Sequence, residues 1–360
     1  MSLVFDHVTL GQRVLFGSGR AAEHLAAEVK RLGAERVMVI AAKTEAEIAR
    51  TVTSGIDVAL VHDDVVMHVP VGTAQKARAA AAEAGIDLIV SVGGGSTTGL
   101  AKAVALTTGI PIVAVPTTYA GSEATNVWGL TEGARKTTGT DDRVLPATVV
   151  YDADMTLTLP IGMSVASGLN GLAHCVDSLW GPRADPINAA IATEGIRALA
   201  EGLPKIVADP LGADGREQAL YGAYLAAVAF ASAGSGMHHK ICHVLGGTFN
   251  LPHAQTHATV LPYVLAFNVP AAPGAAARIA AALGADDAFE GLQTLREKLD
   301  APRALADYGF TEEAIAEAVT LALPAIPANN PRPVTEASLT ALLRAALAGE
   351  DPKTLTDELD

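Results

Sequence analysis

Residues 87–96, DLIVSVGGGS, decide the fold of this chain. The run from Asp87 to Val92 has the length and apolar content of a buried strand, and Gly93-Gly94-Gly95-Ser96 follows it directly, before a helical pattern begins. A glycine turn between a strand and a helix lets backbone N–H groups at the helix N-terminus approach a pyrophosphate. Because the GxGxxG spacing is absent, an ordinary tight turn is an equally good interpretation of this segment taken alone.

The same alternation of strand and helix patterns surrounds this segment. Further strand-like runs lie at 36–41, 57–61, 112–115 and 148–151, and Ala-rich helical stretches lie at 73–84 and 98–107. This βαβ order predicts an N-terminal α/β domain with a doubly wound parallel sheet, Rossmann-like, over residues 1–159. After Leu159-Pro160 nearly every segment has a helical pattern, which predicts an all-α C-terminal domain over residues 160–360.

Composition narrows the class of partner. The net charge is −14 and no basic run is present, which argues against nucleic acid or an anionic membrane. The N-terminus has no basic leader before an apolar core, and the two cysteines lie in helical patterns, so we expect no signal peptide and a cytoplasmic protein. The uncharged segment 219–237 predicts a buried helix rather than a membrane span. A mean hydropathy of +0.31 favours a homodimer.

A second loop strengthens the nucleotide interpretation. Residues 116–123, PTTYAGSE, follow the strand-like run 112–115, and doubly wound sheets bind ligands at the carboxyl ends of their strands. Two such loops on adjacent strand–helix units predict a cofactor-binding cleft. Its residues are Gly93, Gly94, Gly95, Ser96, Thr117, Thr118 and Ser122.

Histidines of the second half carry the remaining chemistry. Asn170 and His174 are four residues apart, as are His239 and His243, and His253 follows ten residues later. Four residues make about one helical turn, so each pair projects from one helix face, and the imidazoles can converge as in a metal site. Asn170 stands where an anionic ligand is expected, and a neutral amide binds cations weakly. We therefore expect a catalytic site without a metal; histidines outside this group are better explained as helix caps or satisfied core residues.

Several long strings resemble one family. GGGSTTGLAKAVAL (93–106), PTTYAGSEAT (116–125), the run 152–160 and the histidine helices are similar to the iron-containing alcohol dehydrogenases, whose fold is that of dehydroquinate synthase. Within that family, TEGARKTTG (131–139), GLNGLAHCVDSLW (168–180) and NPRPVT (330–335) resemble the branch that reduces the carbon–carbon double bond of maleylacetate to give 3-oxoadipate in aromatic degradation. The resemblance covers nearly the whole chain.

The resemblance implies roles for individual residues. The family's metal carboxylate falls on Asn170 and its three histidine ligands on His174, His239 and His253. The family's histidine that is not a ligand falls on His243, which we expect to donate a proton. An enone needs no Lewis acid of the kind that an alcohol dehydrogenase uses, which again leads us to expect no metal, with His174 and His253 holding the substrate.

The implied substrate is a small dicarboxylate, so cations must face it. The candidates are Lys136, Arg135, Lys240 and Arg332, although Arg135 and Lys240 are equally well explained as solvated surface charges. Tyr119 either donates to the ketone oxygen or packs on the nicotinamide. Near position 42 a strict NAD enzyme has an acid, and this chain has Ala42 and Lys43, so we expect both NADH and NADPH to serve.

Two other functions stay open at this point. One is a metal-dependent alcohol or aldehyde dehydrogenase that uses Fe²⁺ or Zn²⁺ at the same histidines, against which Asn170 speaks. The other is a nucleotide-binding protein without catalysis, which the retention of His243 and of both cofactor loops makes the weaker interpretation.

Overall fold

The computed structural model describes residues 4–133 and 135–355, which form two compact units. One unit is Leu10–Leu159, and the other combines the N-terminal segment up to Thr9 with the chain from Pro160 onwards. The boundary lies where the strand patterns stop. The N-terminal segment joins the helical unit because His7 Nδ1 lies 2.8 Å from Asp185 Oδ2.

The first unit is an α/β domain. Its strands are β1 (Arg13–Phe16), β2 (Val37–Ile40), β3 (Val58–His62), β4 (Leu88–Gly93), β5 (Ile112–Pro116), β6 (Val127–Glu132), β7 (Arg135–Thr140) and β8 (Thr148–Tyr151). Its α-helices are α1 (Ala21–Leu32), α2 (Ala46–Val52), α3 (Val71–Glu83) and α4 (Gly95–Thr108). Six strands form a parallel sheet in the order β1-β8-β5-β4-β2-β3, and β6 and β7 form a separate antiparallel hairpin. The predicted parallel sheet is confirmed.

Strand β4 is central because both of its faces are covered. Ile89 packs in one apolar cluster with Leu100 of α4, while Val90 packs in the opposite cluster with Leu25 of α1. A strand buried on both faces needs a nearly continuous apolar run, which residues 88–92 supply with Ser91 as their one polar member. The register pairs Gly93 with Pro116, so the glycine turn after β4 and the loop after β5 begin at the same edge of the sheet.

The second unit is helical, as predicted. Its α-helices are α5 (Ile161–Ser178), α6 (Pro186–Ala208), α7 (Ala213–Ala233), α8 (Met237–Phe249), α9 (His253–Asn268), α10 (Pro273–Leu283), α11 (Ala288–Lys298), α12 (Ile315–Ala322) and α13 (Glu336–Ala348). The long helices α6 and α7 pack closely through glycines: a Cβ on Gly202 would lie 2.7 Å from the carbonyl oxygen of Gly215. Helices α5, α8 and α9 carry the histidines.

The uncharged segment 219–237 is not one continuous helix. It runs through α7, turns at residues 234–236, and enters α8. Across the described ranges, no single helix has the length and apolar character needed to cross a membrane; α7 and α8 meet the length and composition criteria only as a pair, bent by 100°.

Candidate active site

The glycine turn after β4 is shaped by close contacts. Gly93 has a φ of 151°, and a Cβ there would lie 2.5 Å from Thr97 Oγ1. A Cβ on Gly94 would lie 3.0 Å from Thr118 Cγ2. Close packing therefore leaves no room for a side chain at these two positions of the turn. Gly95 and Ser96 follow in the first turn of α4, where backbone N–H groups have no partner within the helix. Such a helix start is suited to bind an anion.

The loop after β5 is tied to this turn and to α4. The N–H of Thr117 donates to the carbonyl of Gly93 over 3.2 Å. Lys102 of α4 is buried, and its Nζ donates to the carbonyl oxygens of Ser122, Thr125 and Val127 over 2.6–2.8 Å. Burial lowers the pKa of Lys102 to about 7, but the surrounding oxygens favour its charged form. The loop that contains Ser122 is thus held by one buried amine.

Tyr119 lies inside the first unit. Its side chain is fully buried, and its hydroxyl donates to Thr156 Oγ1 over 3.4 Å. Thr118, one residue earlier, is partly exposed beside Gly94. The two neighbouring side chains therefore have different surroundings.

The segment after β2 contains an acid that the sequence patterns did not identify. Ala42 is partly buried and the side chain of Lys43 is exposed. Glu45, at the end of the 3-10 turn Lys43–Glu45, accepts a hydrogen bond from Thr117 Oγ1 over 3.2 Å. Burial raises the pKa of this carboxyl above its ordinary value. The search for an acid near position 42 missed Glu45, because the 3-10 turn after β2 places this acid three residues later in the chain.

In the helical unit, imidazole rings from three helices lie side by side. His174 of α5 stacks on His239 of α8 with ring centroids 4.7 Å apart, and Phe230 of α7 lies 4.2 Å from His239. His257 of α9 lies 4.8 Å from His239. We call Asn170, His174, His238, His239, His243, His253 and His257 the histidine cluster.

Asp177 fixes the orientation of His239. Its Oδ2 lies 2.8 Å from His239 Nδ1 and also accepts the backbone N–H groups of Gly236 and His239, at the start of α8. Burial raises the pKa of this carboxyl to about 6, so at neutral pH it is a carboxylate and can only accept. Nδ1 of His239 therefore carries the proton, and Nε2 presents a lone pair. Asp177, one turn beyond His174 on α5, was not identified from the sequence.

His238 and His257 are further members that the sequence interpretation omitted. His238 Nε2 lies 2.9 Å from His257 Nδ1. His257 stands four residues after His253, so the same one-turn spacing that selected the other pairs was available to find it. Burial lowers the pKa of His174 and of His238 to about 3, and those of His239 and His257 well below 6.5, so these four rings are neutral at neutral pH.

The expected proton donor and substrate-binding residues are more accessible. His243 is partly buried, with its ring 6.0 Å from that of His239. His253 is exposed at the start of α9, 4.4 Å from the ring of His257. Arg332 is partly buried with its guanidinium carbon 5.2 Å from the ring centroid of Phe267.

The surroundings of two cationic candidates, Arg135 and Lys136, cannot be described. The side chains of Arg135 and Lys136 lie outside the described part of the chain, next to residue 134. Lys240, on α8 beside His239, is partly buried. Arg332 is therefore the candidate whose surroundings are defined by an aromatic contact.

Two family models match nearly the whole chain. Residues 11–153 match iron-containing alcohol dehydrogenase, and residues 164–347 match the C-terminal part of the Fe-containing alcohol dehydrogenase family.

Individual relatives agree with these matches. A maleylacetate reductase of Sphingobium indicum is 46% identical over 98% of this chain and 100% of its own length. The crystal structure of an iron-containing alcohol dehydrogenase from Corynebacterium glutamicum is 66% identical, with a TM-score of 0.97 over 99% of this chain and 100% of that one. The crystal structure of maleylacetate reductase from Rhizobium sp. is 41% identical, with a TM-score of 0.91 over 97% of this chain and 99% of that one.

The family matches correct one expectation. From Asn170 we expected no metal, and that expectation is wrong: both models describe iron-containing proteins and so indicate an iron-type metal. The histidine cluster fits one, because Asn170 Oδ1, His174 Nδ1, His239 Nε2 and His257 Nε2 are buried without a hydrogen-bond partner among the described residues. Ligand atoms of His238, His239 and His257 lie within 4.8 Å of one another, and neutral imidazoles suit iron and zinc. By its sequence models and its relatives, the chain belongs to the iron-containing alcohol dehydrogenase family.

Proposed function

We propose that this chain is a maleylacetate reductase, which reduces the carbon–carbon double bond of maleylacetate with NADH or NADPH to give 3-oxoadipate. The observation that carries the proposal is 46% identity to a maleylacetate reductase over 98% of the chain. The buried amide of Asn170 beside neutral imidazoles supports it, because a site that reduces an enone depends less on a strongly held Lewis acid than one that reduces an isolated carbonyl.

The first unit supplies the cofactor site. A reduced nicotinamide cofactor supplies the hydride, which adds to the carbon β to the ketone. The start of α4, with Gly93, Gly94, Gly95 and Ser96, meets the pyrophosphate through backbone N–H groups. Thr117, Thr118 and Ser122 border the same edge of the sheet, while Ala42 and Lys43 follow β2, the strand on the other side of β4.

The helical unit supplies the proton and holds the substrate. Hydride addition leaves an enolate, and His243 donates a proton to its carbon. His253 and His174 face the substrate, and Arg332 and Lys136 pair with its carboxylates. Because His174 is neutral, it acts as a neutral hydrogen-bond partner or metal ligand rather than through charge. Tyr119 is fully buried in the first unit and its hydroxyl donates to Thr156, so it supports the nicotinamide from within that unit rather than donating to the ketone oxygen.

The metal indicated by the family has a place in this proposal. His174, His239 and His253, with the amide oxygen of Asn170, would hold it, and His257 is near enough to join them. When bound, such a metal supplies a Lewis acid for the ketone oxygen. The protein's own contribution is a set of neutral donors oriented in advance, of which His239 is the clearest case.

The deciding experiment follows cofactor oxidation with maleylacetate and, in parallel, with saturated aldehydes and ketones. We expect rapid turnover with maleylacetate, formation of 3-oxoadipate, and at least a hundredfold lower kcat/KM for the saturated carbonyls. A preference for simple aldehydes, or a product that keeps its double bond and gains an alcohol, would refute the proposal.

One observation favours a second function. The structure that is 66% identical is described as an iron-containing alcohol dehydrogenase. A metal-dependent alcohol or aldehyde dehydrogenase would show alcohol oxidation that follows iron or zinc content, and the same substrate panel measured at several metal loadings separates the two.

The proposed chemistry also indicates the class of substrate and the cellular compartment. A small dicarboxylate is the substrate, and Cys175 and Cys242 are buried free thiols, which agrees with a reducing compartment such as the cytoplasm. Alkylation of the denatured protein from cell extracts should find both thiols reduced.

A further inference from the structure

Glu45 lies at an unusual place in the first unit. It follows β2, yet its Oε1 lies 3.2 Å from Oγ1 of Thr117, the first residue after β5. In the sheet β2 and β5 lie on opposite sides of β4. A contact between the two loops must therefore pass across the carboxyl end of β4, where Gly93 begins the glycine turn.

This position is where the adenosine ribose of a dinucleotide binds in doubly wound sheets. The pyrophosphate meets the helix after the glycine turn, and the ribose extends toward the end of the neighbouring strand. That neighbour here is β2, and its end lacks an acid at Ala42. Resting on the proposed function, we infer that Glu45 takes over this role: its carboxylate accepts hydrogen bonds from the ribose hydroxyls and repels a 2′-phosphate, so that the protein selects NADH.

The surroundings of Glu45 favour a role in discriminating between NADH and NADPH, and not only in binding the cofactor. The carboxyl is partly buried, so water screens its charge less than it screens Glu47, which is exposed on the next helix α2. Thr117 donates to one of its oxygens, and the hydrogen bonds of the residues that the structure describes do not engage the other. Lys43, the nearby cation that suggested tolerance of a phosphate, has an exposed side chain. This inference replaces the expectation from Ala42 that both cofactors serve equally.

Direct binding of NADH and NADPH, measured by cofactor fluorescence, tests it. We expect the unaltered protein to bind NADH at least tenfold more tightly than NADPH. Glu45→Gln, which keeps size and hydrogen bonding but removes the charge, should bring the two affinities within about threefold, mainly by tighter NADPH binding. Thr117→Val, which frees Glu45 from its anchor, should reduce the preference as well.

Glu47→Gln is the matched control, since it removes the same charge two residues away at an exposed position. It should keep the original preference. Equal affinities in the unaltered protein, or a preference that survives in Glu45→Gln, would overturn the role of Glu45 while leaving the proposed function intact. If the unaltered protein binds neither cofactor, the proposed function fails and this inference with it.

Discussion

At the scale of single residues, His243 is the side chain whose loss should most affect the chemical step. It is partly buried, and its ring lies 6.0 Å from that of His239. We expect His243→Ala to lower kcat by roughly 10²- to 10⁴-fold, as for a lost general acid, with cofactor affinity unchanged. His253→Ala should instead raise KM. Steady-state kinetics with maleylacetate separates the two effects, and a near-normal kcat in His243→Ala would remove this residue from the mechanism.

Asp177 acts on the site through His239. Because its Oδ2 accepts from His239 Nδ1 and from two backbone N–H groups, it sets the ring's tautomer and the start of α8 together. We expect Asp177→Ala to weaken zinc binding and kcat/KM by about 10- to 100-fold, the range for residues that orient a ligand. Asp177→Asn retains an acceptor oxygen and should recover most of both.

Metal affinity and kcat/KM are measured together with the thermal midpoint in these variants. A purely structural role predicts that the losses follow the thermal midpoint. If Asp177→Asn is as impaired as Asp177→Ala at equal stability, the orientation of His239 does not depend on the acceptor oxygen.

At the scale of elements, the contact between α6 and α7 depends on glycine. A Cβ on Gly202 would lie 2.7 Å from a carbonyl oxygen of Gly215 and 2.8 Å from the backbone nitrogen of Ala219, and backbone atoms cannot move aside as a side-chain tip can. We expect Gly202→Ala to lower the free energy of unfolding by about 1–3 kcal/mol, as for overpacked cores. Thermal or urea unfolding measures the change.

Gly274, at an exposed position in α10, provides the control. A Cβ there meets nothing within 4 Å, and alanine costs less backbone entropy than glycine in a helix. Gly274→Ala should therefore be neutral or slightly stabilising. Equal losses in both variants would show that glycine's flexibility, and not the close approach of α6 and α7, explains the effect.

The elements predictable from sequence were those whose burial is uniform. Strand β4 is buried along its whole length, so its apolar run and the glycines after it reveal both its type and its end. Strand β1 has four residues, and only its central pair is partly buried, so it leaves no pattern. The hairpin of β6 and β7 was missed because β6 is only partly buried and β7 is polar, without the alternation that marks a half-buried strand.

The site was predictable where the helical period fixed it. The pairs Asn170/His174 and His239/His243 lie on single helix faces, so spacing alone brought them together. Glu45 and Asp177 were not predictable in this way, because their partners, Thr117 and His239, are 72 and 62 residues distant along the chain. The metal was misjudged because the neutral amide of Asn170 was given more weight than the imidazoles, whose buried nitrogens without hydrogen-bond partners among the described residues supply most of the donors.

At the scale of the whole molecule, the apolar N-terminal segment predicts a homodimer. Val4, Phe5 and Val8 are 87%, 43% and 63% exposed, and β1, which follows them, is an edge strand of the sheet that pairs only with β8 among the described strands. Exposed apolar side chains and an unpaired strand edge each favour association with a second copy. We expect light scattering coupled to size-exclusion chromatography to give about twice the chain mass of 36.7 kDa.

Substitutions test whether this segment, and not an exposed apolar residue elsewhere, forms the dimer interface. Phe5→Glu combined with Val8→Glu places four charges at the interface of a symmetric dimer formed by this segment, because each change occurs in both copies. The double variant should therefore give the monomer mass. Leu211→Glu changes a single residue that is 75% exposed in the helical unit and should leave the dimer intact. A monomer mass for the unaltered protein at every concentration would refute the dimer. A dimer that persists in the double variant but dissociates on Leu211→Glu would move the interface to the helical unit.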